Sequence, residues 1–597
     1  MRKPRPFAAL WKPGFRANVP QICHEKGHTL FSQHKRARLR FWPQIAGTVA
    51  ALCWLAFLWH GEPEPALLFS VVAINLGLIA LLAGLLGRPK TGLALATLFF
   101  VFAFGAARSK YALVAMNLHV YDVPFYLFTG ASVEFFFSAY PRQGMMVAAA
   151  LAASAAVIVL SWRADASLRL PPRRRVGLMA CAVGLLALGS WPLSGRNADF
   201  FNERNFALSS FLTSFADLPQ LFSHHGLIEV APRATIAPIP ADAIACKPQG
   251  EPPDIVMTLN ESSMPPGVYP GLTYPEELTP FFTSADGRIH PLRVETFGGG
   301  TWLSDFTALT GLSTNAFGNL RNFVANFMTG RLRHSLPQYL KACGYETAII
   351  YPASAGFAGV GRFYEAIGFD RVIDTSVHKA ADQRQRDAFY MGEAAKFLEA
   401  PAPGERKPRF VVVSSMSTHS PWDFRFSPDA IRETDSLRWN ADPEFDEYLW
   451  RLLLAKRDRD DFRERLSTSL PGRRILHVGY GDHQPALAKV PLENNRAIAD
   501  EGRSWLLDRD SKAFETYFTV EAQGFTPKLA GAAHPIVEIA NLPVITVIAA
   551  GLPLDPVFAR REKLMAQCDG LYATCKDRAA ILAFQRWLVD SRWIAQN

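Results

Sequence analysis

At 597 residues the chain exceeds the roughly 250–300 residues at which a single hydrophobic core stops growing, so at least two folding units are expected. Its 49% hydrophobic and 20% charged residues resemble a soluble average only because an apolar N-terminal part is averaged with a polar remainder. The net charge of +9 does not point to nucleic acid, because the basic residues crowd into the stretch before the first apolar run and into Arg169–Arg175, both beside membrane-length segments. The seven cysteines form no closely spaced pairs of the zinc type, which argues against a structural zinc module.

In chain order, residues 1–41 read as a basic cytoplasmic tail. Five runs then approach the roughly 20 apolar residues that a bilayer-crossing helix needs: Trp42–Trp59, Ala66–Leu86, Leu93–Ala107, Met145–Trp162 and Val176–Leu193. Together they predict a five-helix transmembrane domain over 42–194. Lys and Arg are retained on the cytoplasmic side. Arg88, Lys90 and the arginines of 169–175 therefore face inward, whereas the first outer loop offers Glu62 and Glu64. Five spans starting inside place everything after Ser194 outside. Between spans three and four, Ser109–Gly130 mixes aromatic and polar residues, as does Asn202–Phe222 after span five. Both read as interfacial, with Arg108 and Lys110 either meeting a lipid phosphate or simply sitting at headgroup level. An interfacial linker is expected over 195–245, ending in the Pro- and Ala-rich Ala231–Ala245, and an extracytoplasmic catalytic domain over 246–597.

In that last stretch short apolar runs alternate with polar helical ones. The runs DIVMTLN, YETAIIY, RFVVVSSMS and RRILHVGYGD predict an α/β fold with a mostly parallel sheet covered by helices. Functional residues of such sheets gather beyond the carboxyl ends of the strands. Glu261 follows the first run and is a metal ligand, a cap or a solvated residue. In GGGTWLSDF three glycines free the backbone, and Thr301 opens a helix either as its cap or as a nucleophile favoured by the helix dipole. Gly481 permits a turn that presents Asp482 and His483 together. Carboxylates with one imidazole suit zinc or manganese better than calcium. His477, inside an apolar run, reads as a core residue, and His534, in GAAHPI, as a candidate for substrate binding.

Taken together, LNES, GGGTWLSDF and YGDHQP resemble the alkaline phosphatase and sulfatase superfamily, and within it the membrane-anchored branch of lipoteichoic acid synthases, phosphoglycerol transferases and phosphoethanolamine transferases. The resemblance spans roughly residues 42–590. It implies an α/β/α sandwich with metal ligands Glu261, Thr301, Asp482 and His483, and Thr301 as nucleophile. His419, in SMSTHSPW, matches a histidine that the family places over the donor phosphate. Formylglycine sulfatases need a Cys or Ser where this chain has Thr301, so phosphoryl transfer is favoured. The implied enzyme is a metal-dependent (Mn or Zn) transferase in the inner membrane. It moves a phospho-alcohol, phosphoglycerol more than phosphoethanolamine, from a membrane phospholipid to an envelope glycan or lipid through a phospho-threonine. A membrane-anchored phosphodiesterase or sulfatase-like hydrolase is the alternative. One departure is YPASAGFAGVGRFYEAIGF, where Tyr351 stands in the place of a headgroup-reading histidine and no Trp follows; Arg362 is a candidate to take over substrate recognition. CDGLYATC either closes a short disulfide loop or carries two free thiols.

Overall fold

The computed structural model describes residues 47–62, 64–114, 116–127, 141–166, 169–193, 206–222, 227–239, 246–269, 272–356, 359–381, 384–401, 404–430, 439–440, 442–488 and 510–595, with a few positions between 130 and 137. The basic tail expected over 1–41 lies outside them. The chain divides into two compact units, Met1–Gly61 and Glu62–Asn597. In the first, the described part is the apolar helix Gly47–Gly61.

Among the described residues, the second unit holds four helices long and apolar enough to cross a membrane: Pro65–Leu86, Pro89–Tyr111, Pro141–Ala164 and Pro172–Leu193. Five spans were expected. The first of them, Trp42–Trp59, begins outside the described residues, and its described remainder is a helix shorter than a full span. Small residues let the others approach closely: a Cβ on Gly92 would lie 2.5 Å from the Ala83 nitrogen, and one on Gly84 2.9 Å from Met179. Polar bonds tie their ends. The Asp165 carboxylate accepts the N–H groups of Lys90 (3.1 Å) and Thr91 (2.7 Å), and Arg88 donates to the Trp162 carbonyl at 2.6 Å while stacking over that indole.

The remainder of this unit is built on one mixed sheet: β1 Asp254–Asn260, β2 His290–Arg293, β3 Glu346–Ile350, β4 Arg371–Ile373, β5 Arg409–Ser414, β6 Ile475–Gly481, β7 Glu515–Gln523 and β8 Val537–Glu538. Their order is β4-β3-β5-β1-β6-β7-β2-β8. From β4 to β6 all pairs are parallel, and β7 is antiparallel to both neighbours. β5 and β6 are buried along their whole length, as strands covered on both faces must be. Side chains alternate between the layers. Ile255, Met257 and Leu259 join Leu303, Phe306 and Leu309 of helix Thr301–Thr310 in one core. Val256, Val411 and Val413 join Tyr390 and Met391 of helix Asp387–Glu399 and Phe462 of helix Pro443–Ser469 in another. The result is an α/β/α sandwich. Disulfides join Cys246 to Cys343 and Cys568 to Cys575; spacing suggested only the second.

β1 lies between β5 and β6, so the carboxyl ends of three neighbouring parallel strands open on one place. The register pairs Asn260 with Gly481, which sets Glu261 beside Asp482. A Cβ at position 481 would fall 2.0 Å from the Ser263 carbonyl oxygen. Only glycine fits that approach.

Candidate active site

Glu261, Thr301, Asp482 and His483 come together at this strand-end opening. The Thr301 hydroxyl lies 3.1 Å from Glu261 Oε2 and 3.4 Å from His483 Nε2. His483 Nε2 is 3.5 Å from Glu261 Oε1 and 3.2 Å from Asp482 Oδ2. Glu261, Asp482 and His483 are all buried. Thr301 is the first residue of its helix; the cap is Gly300, at φ 84°, with no side-chain capping bond. The threonine is thus released from the capping role that its position first suggests. Its hydroxyl turns to the carboxylate instead, at the positive end of the helix dipole.

Each ligand-type group is held from behind. Asp482 Oδ1 accepts the N–H groups of Ser262 (2.8 Å) and His483 (2.9 Å). His483 Nδ1 is 2.9 Å from the Gln484 carbonyl. A carbonyl only accepts, so Nδ1 carries a proton, and it is Nε2, once deprotonated, that can turn a lone pair toward the two carboxylates. Asp482 Oδ2 is buried without a hydrogen-bond partner. Three electron-rich atoms within 4.8 Å of one another, one of them orphaned, form a set that a divalent cation satisfies and that is costly without one. The residues therefore fit a metal. Electrostatics agree: burial, then the Glu261 charge, lifts Asp482 well above the usual carboxylate range. Burial works in the same direction on Glu261, but His483, His419 and the hydroxyls of Ser262 and Thr301 together hold it below.

His419 follows β5 in the same opening. Its Nδ1 is 2.7 Å from the Ser420 carbonyl, leaving Nε2 free, and its carbonyl accepts Arg451 at 2.7 Å. Tyr351 follows β3 and lies near enough to Asp305 and Glu261 that, after burial, their charges raise its phenol further. Arg362 is exposed on helix Val360–Ala366. His534 pairs with the exposed Asp569 at 3.0 Å, and no contact joins it to the quartet among the described residues. His477 is a buried strand residue, its imidazole kept neutral chiefly by burial.

Several supporting residues carry no motif of their own. Ser415 Oγ accepts the Glu261 N–H at 3.0 Å, Thr418 donates to the Glu261 carbonyl, and Ser304 donates to the Asp482 carbonyl at 2.6 Å. Asp387 Oδ1 accepts the N–H groups of Met416 (2.7 Å) and Ser417 (2.9 Å), while Ser417 Oγ accepts the Asp387 N–H at 3.0 Å. This reciprocal lock shapes the turn that leads to His419. The signal in sequence was the hydroxyl-rich pair ESS and SSMST after two strands.

Residues 272–503 match the Sulfatase family model, a segment that includes Thr301, His419, Asp482 and His483. An uncharacterized protein of Haemophilus influenzae is 28% identical over 250 residues, covering 39% of this chain and 44% of that protein; the match thus spans under half of the relative's length. Among solved structures, the phosphoglycerol transferase GacH of Streptococcus pyogenes in complex with sn-glycerol-1-phosphate is 17% identical, with TM-score 0.44 over 58% of this chain and 87% of that one. The integral membrane lipooligosaccharide phosphoethanolamine transferase EptA of Neisseria meningitidis is 12% identical, with TM-score 0.46 over 85% of this chain and 99% of that one. Residues 272–503 are thus similar to the Sulfatase family.

Proposed function

We propose that the protein is a membrane-anchored, metal-dependent transferase. It moves a phospho-alcohol, phosphoglycerol in preference to phosphoethanolamine, from a phospholipid to an envelope glycan or lipid, with Thr301 as nucleophile. The observation that carries the proposal is the Thr301 hydroxyl, free of capping duty, 3.1 Å from Glu261 and 3.4 Å from His483 on a chain with four membrane-length helices.

Glu261, Asp482 and His483, with the Thr301 oxygen, would hold Mn2+ or Zn2+. When bound, such an ion supplies Lewis-acid chemistry, lowering the pKa of an adjacent hydroxyl and offsetting phosphoryl charge. The chain's own residues do the rest. Thr301 Oγ1, its proton first released to solvent, attacks phosphorus as an alkoxide while the bond to the diacylglycerol oxygen breaks, so the phospho-alcohol remains as an ester on Thr301. The N–H groups of the first helical turn face the phosphoryl oxygens. His419, with Nδ1 committed to Ser420, uses Nε2 to protonate the departing alcohol and then to deprotonate the acceptor, whose attack on the threonine ester regenerates Thr301. Tyr351 and Arg362 are the proposed headgroup contacts, and His534 is a more remote one for the acceptor. The cation-retaining loops set the orientation, with this site on the outer face of the inner membrane.

The test is intact-protein mass spectrometry after incubation with a labelled phospholipid and an envelope fraction. Wild type should carry a transient phospho-alcohol adduct on Thr301 and pass the label to the acceptor. Thr301→Ala should show neither, while folding as wild type. Full turnover by Thr301→Ala would remove the proposed nucleophile, and label appearing only as free phospho-alcohol would support the hydrolase alternative.

A further inference from the structure

The stretch after helix Pro89–Val114 is buried from Met116 to Asp122, which is more than an interfacial loop requires. It meets two other stretches at one carboxylate. Asp217, in the segment Ser214–Phe222, is 3.0 Å through Oδ2 from His119 Nε2, and its Oδ1 accepts the Asn319 amide at 2.6 Å. The Asp217 carbonyl accepts the Tyr121 hydroxyl at 2.5 Å. Beside it, Ser214 Oγ accepts the Val120 N–H at 2.8 Å. Lys110, near the end of the span, donates to Asp122 at 2.7 Å, and Asp122 in turn accepts the His119 N–H at 2.7 Å.

Aromatic rings close the junction. Tyr121 packs edge-on against Phe323 at 5.6 Å and Phe327 at 5.4 Å, and Phe125 lies 5.0 Å from Phe327. The stretch that receives them also reaches the proposed active centre, because the Asn322 carbonyl accepts the Trp302 indole N–H at 3.1 Å and Trp302 adjoins Thr301. A continuous set of contacts thus runs from a membrane-length helix to the residue next to the proposed nucleophile, with Asp217 at its polar centre. Removing that carboxylate takes away the charged acceptor that both the His119 ring and the Asn319 amide face.

A soluble ester reaches a site at any height, but a lipid headgroup is confined to the membrane surface. For a tethered enzyme acting on an embedded substrate, reaction depends on the two geometries coinciding. We infer that Asp217 is a positioning residue that fixes the Thr301 centre at headgroup depth, so that the enzyme is selective for phosphodiesters presented by a bilayer over those in solution. This inference rests on the phosphodiester chemistry proposed above.

The test compares full-length wild type, Asp217→Asn and Phe323→Leu, the last loosening the ring packing without touching the carboxylate. Each is reconstituted in vesicles of phosphatidylglycerol and phosphatidylethanolamine bearing a fluorescent acyl chain, with Mn2+ or Zn2+, and assayed for diacylglycerol release. The same preparations are given bis(4-nitrophenyl) phosphate in solution. Asp217→Asn should lose about 10- to 100-fold on the vesicle lipid and keep its rate on the soluble ester, and Phe323→Leu should show the same split in smaller measure. Equal loss on both substrates in both variants, or no loss on either, would overturn the inference while leaving the proposed chemistry standing. Wild type that cleaves the soluble ester but no vesicle lipid would overturn the lipid reading, and the inference with it.

Discussion

Replacing Asp482 by asparagine separates the cost of building the proposed metal centre from its use. The side-chain oxygen of the introduced asparagine can still accept the N–H groups of Ser262 and His483, which Asp482 Oδ1 accepts at 2.8 and 2.9 Å. At the other position an amide N–H2 replaces the orphaned Oδ2, 3.2 Å from the lone pair of His483 Nε2. At a pH above the raised titration of Asp482, where Oδ2 is ionised, a clash of acceptors becomes a hydrogen bond. Relieving one buried unsatisfied group is worth about 1–3 kcal/mol, so the metal-free variant should melt roughly 1–4 °C above metal-free wild type. Added Mn2+ or Zn2+ should do the reverse: wild type gains about 4 kcal/mol at a thousandfold excess over its dissociation constant, and Asp482→Asn gains almost nothing. Thermal unfolding followed by tryptophan fluorescence, with chelator and with each metal, measures both. A variant that is less stable than wild type in chelator, yet equally stabilised by metal, would refute the assignment of Oδ2 as a ligand.

Asp387 is buried, and burial is the main cause that pushes its carboxyl up to about 6. The folded state therefore holds a proton that the unfolded state has already released, and this contribution to stability is present at low pH and lost as pH rises from about 4 to about 6. Asp387→Asn keeps an acceptor for Met416 and Ser417, so its stability relative to wild type should rise by about 2–3 kcal/mol across that window; denaturant titrations at pH 4.5 and 7 that show a constant difference would reject the burial argument. The two disulfides should differ by loop length. Chain entropy predicts that opening Cys246–Cys343, 97 residues apart, costs about 2 kcal/mol more than opening Cys568–Cys575, 7 apart, a comparison made with paired Cys→Ser variants by calorimetry.

The long buried strands were legible because a parallel strand covered on both faces needs an uninterrupted apolar run. DIVMTLN is β1 itself, and RFVVVSSMS and YETAIIY contain β5 and β3. β4 and β8, of 3 and 2 residues, are too short to carry a period. The quartet could be named from strand-end position and resemblance, but not its internal logic. Nothing local to Thr301 shows that Gly300 takes the cap, and nothing local to Gly481 shows the Ser263 carbonyl pressing on it. Asp217, Asn319 and His119 meet across about a hundred residues or more, where no periodicity reaches, and the Cys246–Cys343 bridge was hidden for the same reason.

The pairing of Asn260 with Gly481 also has a kinetic meaning. β1 leaves the ribosome some two hundred residues ahead of β6, so Glu261 must wait, without its partners, until nearly the whole sheet has been made. Contacts of such sequence separation form late. A chain halted before β6 lacks two of its three proposed ligands, and metal capture thus becomes a sign that the central strands have been made and have paired.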